Sequence, residues 1–229
     1  MPTERFTFAG HDGTLLAARL DFPAGDPPLA TALFAHCFTC GKDIAAARRI
    51  AGRLAAMGIA VLRFDFTGLG HSGGEFANTS FTTNVGDLVA AAQALAARGL
   101  APEVLIGHSL GGAAVLRAAA RIPSARAVAT IGAPMDPGHV TENFAEALPE
   151  IAEKGVAEVK LGGRPLRISQ GFVEDVRQTK LTEAIANLKL PLLILHAPRD
   201  ALVGIANATA IFKAAKHPQS FVTLRAADP

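Results

Sequence analysis

The chain has 229 residues, half of them hydrophobic and only 18% charged, with a mean hydropathy of +0.30. That composition excludes a disordered or solvating chain and supplies enough apolar material for one α/β domain with a large core. Lys and Arg number 22 against 20 Asp and Glu, and no basic stripe forms, which argues against nucleic acid or an anionic membrane as partner. No uncharged apolar run reaches the roughly 18 residues of a membrane helix. Glu4 and Arg5 stand where a signal peptide would place its apolar core, so the expected location is cytoplasmic. Cys37 and Cys40, the two cysteines, are too few and too close for a secreted disulfide framework. With no Trp or Tyr, 13 Phe supply all the aromatic packing.

Residues 3–8 and 14–22 read as a strand pair joined through Gly10-His11-Asp12-Gly13. The almost wholly apolar run 29–35 reads as a strand buried on both faces, and apolar positions three and four apart predict a helix from Asp43 to Met57. Ile59–Phe64 is the next buried strand, followed by the Gly-rich loop 68–74. A helix over Asn84–Arg98, a strand over Glu103–Gly107, a helix over Leu110–Arg121 and a strand over Ala127–Ile131 continue the alternation. Residues 135–188 break it: they are richer in charge, contain a hairpin around Gly162-Gly163, and read as a cap-like insertion. Leu190–Leu195, a helix near Ala206–Ala215 and Ser220–Leu224 resume it. The rhythm predicts a single α/β domain over residues 1–229, with a mostly parallel twisted sheet of about eight strands and helices on both faces.

Gly107-His108-Ser109-Leu110-Gly111 matches Gly-x-Ser-x-Gly between an apolar strand and an Ala-rich helix. A serine on so sharp a turn needs small neighbours at 107 and 111, and the turn aims the helix N-terminus at a reacting carbonyl. Thr67-Gly68-Leu69-Gly70 lacks the Lys-Ser/Thr of a phosphate loop. A lone C-x-x-C has too few ligands for structural zinc. Neither metal nor cofactor is expected.

With these motifs in view, the chain resembles the α/β-hydrolases, and is similar to the serine aminopeptidase and dienelactone-hydrolase-like esterases. More narrowly, Phe34-Ala35-His36-Cys37-Phe38-Thr39-Cys40, Phe64-Asp65-Phe66-Thr67-Gly68-Leu69-Gly70-His71-Ser72 and Gly107 to Gly112 resemble the hydrolase half of bacterial fusions with an OsmC-like peroxidase domain; the peroxidase half is absent here. The resemblance implies Ser109 as nucleophile, the backbone N–H groups of Phe38 and Leu110 as oxyanion hole, and Asp200 as triad acid. It also implies that His36 shapes the oxyanion loop, with Cys37 in the position where the family has glycine.

The family places Asp-His after the final strand, whereas this sequence reads Ala226-Ala227-Asp228-Pro229, so Pro229 falls at the histidine position and the closing helix is missing. His71 in the Gly-rich loop and His139 at the start of the cap are the candidate substitute bases. His217 precedes the last strand and belongs at the far end of the sheet, His108 is expected to point away from Ser109, His196 to make local bonds, and His11 to stay in the first hairpin. The expectation is a serine hydrolase of a small-molecule ester, thioester or amide, weakened by the missing histidine. Two other readings stay open. One is a non-catalytic module holding an acyl or carboxylate ligand. The other is a thiol redox role for Cys37 and Cys40, whose place between a strand and a helix matches a thioredoxin-type layout and would lower the first thiol's pKa; the plainer alternative is two small residues packing under the loop. Phe144, Leu148 and Phe172 are candidates to line an apolar pocket. The uncovered sheet face predicts self-association as a homodimer.

Overall fold

Alternating side chains near the N-terminus pair as an antiparallel hairpin of β1 (Thr3–Ala9) and β2 (Leu15–Asp21), in register from Thr3↔Asp21 to Ala9↔Leu15. The computed structural model describes residues 2–25, 27–161 and 163–225. Along them follow β3 (Ala30–Ala35), α1 (Ala45–Ala56), β4 (Ile59–Phe64), α2 (Phe81–Ala96), β5 (Val104–His108), α3 (Leu110–Ala118) and β6 (Ala127–Ile131). Then come α4 (Leu148–Lys154), β7 (Val156–Leu161), β8 (Arg164–Ser169), α5 (Gln170–Gln178), α6 (Thr182–Ala186), β9 (Leu192–His196), α7 (Ala206–Ala214) and β10 (Gln219–Thr223).

Eight strands form one sheet in the order β1-β2-β4-β3-β5-β6-β9-β10, antiparallel at β1–β2 and β2–β4 and parallel from β4 onward. The carboxyl ends of β3, β5, β6 and β9 therefore share one edge, and the loops that follow them meet there.

The apolar run in β3 is buried on both faces because the two faces meet different helices. Ala32 and Phe34 pack with Val61 and Ile106 against Ala47 and Ala51 of α1. Leu33 and Ala35 belong with Leu62 and Leu105 to the larger core under α2 and α3. The buried face of α1 is all alanine, at 47, 51 and 55, a spacing of four that keeps one narrow stripe against the sheet.

Helix α2 begins at Phe81, three residues before the apolar periodicity predicts. Ser80 caps it: the Thr83 N–H donates to Ser80 Oγ at 3.1 Å, and the Ser80 N–H donates to Thr83 Oγ1 at 2.8 Å. Threonine stands where such boxes usually have Glu or Gln, so the start signal is muted in the sequence.

The insertion at 135–188 holds 3₁₀ turns over Pro137–Ala147, then α4, the β7–β8 hairpin, α5 and α6. The hairpin pairs Val156↔Ser169 through Leu161↔Arg164, as the sequence predicts, although Gly162 lies outside the described residues. Phe144 and Phe172, expected to line a pocket, are instead buried in the core. The Phe172 ring lies 5.2 Å from Phe38 and 5.4 Å from Phe76, and Phe144 lies 6.2 Å from Phe38. Leu148 likewise packs half-buried against that core. These aromatic side chains have more to gain by closing the seam between insertion and sheet than by facing a wet cleft. No helix among the described residues is long and apolar enough to cross a membrane.

Phe172 has no exposed surface. Truncation to alanine is expected to cost about 3–5 kcal/mol in urea unfolding. A loss under about 1 kcal/mol would mean that these ring contacts do not hold the insertion.

Candidate active site

Ser109 joins β5 to α3 with φ 53° and ψ −126°, a conformation that stores on the order of 1–3 kcal/mol in a non-glycine residue. Two glycines make the turn possible. A Cβ on Gly107 would strike the backbone of Gly111 and Gly112, and one on Gly111 would strike the carbonyl oxygens of Ala35 and His36. The turn is fixed by the Ser109 N–H donating to the Ile131 carbonyl at 2.9 Å and the Gly112 N–H donating to the Ser109 carbonyl at 2.8 Å. Leu110 opens α3, so its N–H has no partner one turn back in the helix.

Across from this turn, β3 runs out into Cys37-Phe38-Thr39-Cys40. A disulfide joins Cys37 to Cys40, whose Cα atoms are 5.2 Å apart, and the Cys40 N–H donates to the Cys37 carbonyl at 3.2 Å. His36 is buried, and its Nδ1 donates to that same carbonyl at 2.7 Å, which leaves Nε2 unprotonated in the neutral ring. Burial pushes the His36 imidazole below its ordinary pKa.

The loop's far end is pinned by an ion network. The Lys42 N–H donates to Asp65 Oδ1 at 2.6 Å and its ammonium to Asp65 Oδ2 at 2.5 Å. The Arg63 guanidinium donates to the Lys42 carbonyl, and its Nε to Asp21 Oδ2 at 2.8 Å. Burial alone would raise the Asp65 pKa, but the Lys42 ammonium and the N–H groups of Lys42 and His71 outweigh it and hold the carboxyl below its usual value. Lys42 carries no mark of this role in the sequence. The burial of Lys42 comes from its contacts with Asp65 and Arg63, residues more than twenty positions away in the chain.

Ser109, Leu110, Phe38, Cys37, Cys40 and Asp200 line one cleft of about 440 Å³, so the structure brings together the residues picked out for the nucleophile, the acid, the oxyanion donors and the thiol pair. Asp200 follows β9. Its Oδ1 accepts the N–H groups of Leu202 at 3.0 Å and Val203 at 2.8 Å, while Oδ2 lies 3.7 Å from His196 Nε2. His196 is buried and gives its Nε2 proton to the Val203 carbonyl at 2.6 Å, a local bond as expected.

The two candidate substitute bases separate. His139 lines the cleft, with Nε2 donating to the Leu202 carbonyl and Nδ1 3.2 Å from Glu142 Oε1. His71 does not reach it: the side chain is 78% exposed, next to Lys42 and Asp65, in a separate groove beside β1 and β2. The backbone N–H of His71 is held by Asp65 at 2.9 Å, and the ring, expected near the mouth of the site, is not among the residues that line it. His108 lines the same cleft as Ser109; its Nδ1 is buried without a partner among the described residues, and burial lowers its pKa while the Asp200 charge opposes part of that shift. His11 pairs with Asp87 at 2.8 Å, and His217 lies at the opposite end of the sheet beside Val104 and Leu192. The position aligned with the family histidine, Pro229, lies outside the described residues. From the cap, the cleft wall takes Val140, Asn143, Lys160 and Leu161 in place of the three side chains expected there.

The family model for serine aminopeptidases, S33, matches residues 27–170. The esterase domain of a Rhodothermus marinus protein is 44% identical and superposes with a TM-score of 0.76, covering 98% of this chain and 88% of that one. The mitochondrial palmitoyl-protein thioesterase ABHD10 of Mus musculus is 31% identical over 157 residues, which are 65% of this chain and 51% of the relative; the chain thus spans about half the length of that curated protein. The α/β-hydrolase GrgF from a Penicillium species is 19% identical and shares the fold, with a TM-score of 0.82 over 99% of this chain and 91% of its own.

His36 and His108 set a pH dependence. Each binds its proton less tightly when folded than at the ordinary value of 6.5, so their contribution to stability is complete above pH 6.5 and is lost as the pH falls below it. Thermal melting of the parent should therefore drop between pH 7.5 and 5, with a shallower drop for His108→Phe. Equal slopes for the two proteins would remove His108 from this account.

Proposed function

The chain belongs to the serine aminopeptidase (S33) family and is an α/β-hydrolase, and on that premise we propose that it hydrolyses a small ester or thioester through an acyl-enzyme on Ser109. The observation that carries this reading is the strained Ser109 turn, which opens α3 in the same cleft as Phe38 and Asp200. Attack of Ser109 Oγ on the acyl carbonyl forms a tetrahedral intermediate, whose oxyanion takes the N–H groups of Phe38 and Leu110. Collapse expels an alcohol or thiol, and water then releases the acid. Asp200 serves as the orienting acid: its Oδ1 is occupied by two backbone N–H groups, which leaves Oδ2 to accept from an imidazolium.

Among the described residues, His139 is the base candidate that remains of the two. Its Nε2 proton is committed to the Leu202 carbonyl, so taking the Ser109 proton requires the ring to turn. The acyl group is small and partly apolar, in keeping with a wall that mixes Val140 and Leu161 with Asn143 and Lys160. Two relatives, an esterase domain and a palmitoyl-protein thioesterase, point to the same bond classes.

Fluorophosphonate labelling read by intact mass tests the nucleophile. One adduct is expected on the parent and none on Ser109→Ala, together with a fall in p-nitrophenyl ester hydrolysis of at least about 10³-fold. A parent that takes no adduct, or a Ser109→Ala variant that keeps its rate, overturns the reading. His139→Ala should slow labelling by a factor of about 10² or more if this ring is the base. Unchanged labelling assigns the base elsewhere.

A further inference from the structure

The residues from Cys37 to Cys40 carry a feature that ester chemistry alone does not use. Phe38, whose N–H is assigned above to the oxyanion, lies between two cysteines joined by a disulfide. Both cysteines are partly exposed and line the same cleft as Ser109, within reach of a small thiol that enters it. The chain on either side is firmly held: His36 is buried at the end of β3, and Lys42 is fixed by Asp65 and Arg63. Between these anchors the turn has few other restraints on its backbone. The Cys40 N–H reaches the Cys37 carbonyl at 3.2 Å, and the His36 ring bonds to that same oxygen. The covalent bridge is the strongest of these constraints, and it directly limits the rotation of the peptide that carries the Phe38 N–H.

We propose that Cys37–Cys40 is a reversible thiol–disulfide site that regulates hydrolysis in this cleft. The oxidised form holds the Phe38 N–H on the oxyanion and the reduced form releases it. The proposal rests on the oxyanion assignment made above. The reaction partner is a dithiol. One of its thiolates attacks a sulfur of the bridge, the S–S bond breaks, and the departing cysteine thiolate takes up a proton. The reductant's second thiol then displaces the remaining cysteine from the mixed disulfide, and that sulfur is protonated in turn. Two electrons and two protons pass to Cys37 and Cys40, and the dithiol leaves as a disulfide. A disulfide oxidant of the same class reverses each step.

Removing one oxyanion donor outright typically lowers kcat by about 10²–10³. Here the Phe38 ring stays packed against Phe76, Phe144 and Phe172, so reduction loosens the donor without removing it. The expected fall is about tenfold, in kcat more than in KM.

The test compares the full chain oxidised with diamide and reduced anaerobically with dithiothreitol. Thiols are counted by iodoacetamide mass shift, rates are taken with p-nitrophenyl acetate, and amide hydrogen exchange is followed over residues 36–44. The expected result is two alkylated cysteines after reduction and none after oxidation, a kcat about tenfold lower in the reduced form, and faster exchange at Phe38–Cys40, all restored on reoxidation. A Cys37→Ser/Cys40→Ser variant, or Cys40→Ala if the double variant does not fold, should sit at the reduced rate under both conditions. Cysteines that stay alkylatable after oxidation, equal rates and exchange in the two states, or a variant as fast as the oxidised parent would overturn the proposal. If neither state turns over ester, the hydrolase reading fails by itself and exchange decides for the site: quickened on reduction it supports a released turn, and unchanged it overturns one.

Discussion

The backbone at Ser109 is held where an L-residue resists being held, and much of the architecture serves to keep it there. The strain is tolerable only because α3 can press against the end of β3. That approach is so close that a single methyl group on Gly111 would meet two carbonyl oxygens. The same contact sets the separation between the serine and the loop leaving β3. The buried faces of β3 and β5, with α1 behind them and α2 and α3 in front, provide the rigid backing against which so sharp a turn can be maintained.

The ion network beneath that loop acts on geometry more than on net stability. Lys42, Arg63 and Asp65 are nearly inaccessible, and taking such charges out of water offsets most of what their mutual attraction contributes. What the network supplies is register. Lys42 is gripped at its N–H, its carbonyl and its ammonium, by Asp65 and Arg63 at the end of β4. Loss of one partner would leave the others buried and unpaired, so this arrangement tolerates little drift.

The parallel core was legible residue by residue. Runs such as Ile59–Phe64 and Ala127–Ile131 are apolar, short and bounded by turn formers, and they became strands with those same limits. The Gly-x-Ser-x-Gly turn was equally plain, because its steric demand is written in the glycines themselves. Directions of loops were not. Where the His71 ring lies depends on contacts with a distant residue, such as Asp65 to the His71 N–H, which no local pattern shows. Phe144 and Phe172 looked like pocket walls because composition cannot tell a seam from a cleft. The early start of α2 stayed hidden behind a threonine doing the work of a glutamate.

Phe38 belongs to two structures at once. It lines the cleft, while its ring stacks on Phe144 and Phe172 of the insertion. Outward motion of the insertion would therefore pull on the peptide that borders the cleft beside Ser109. Packing within the insertion and geometry at the loop leaving β3 are thus set by one side chain and cannot vary independently.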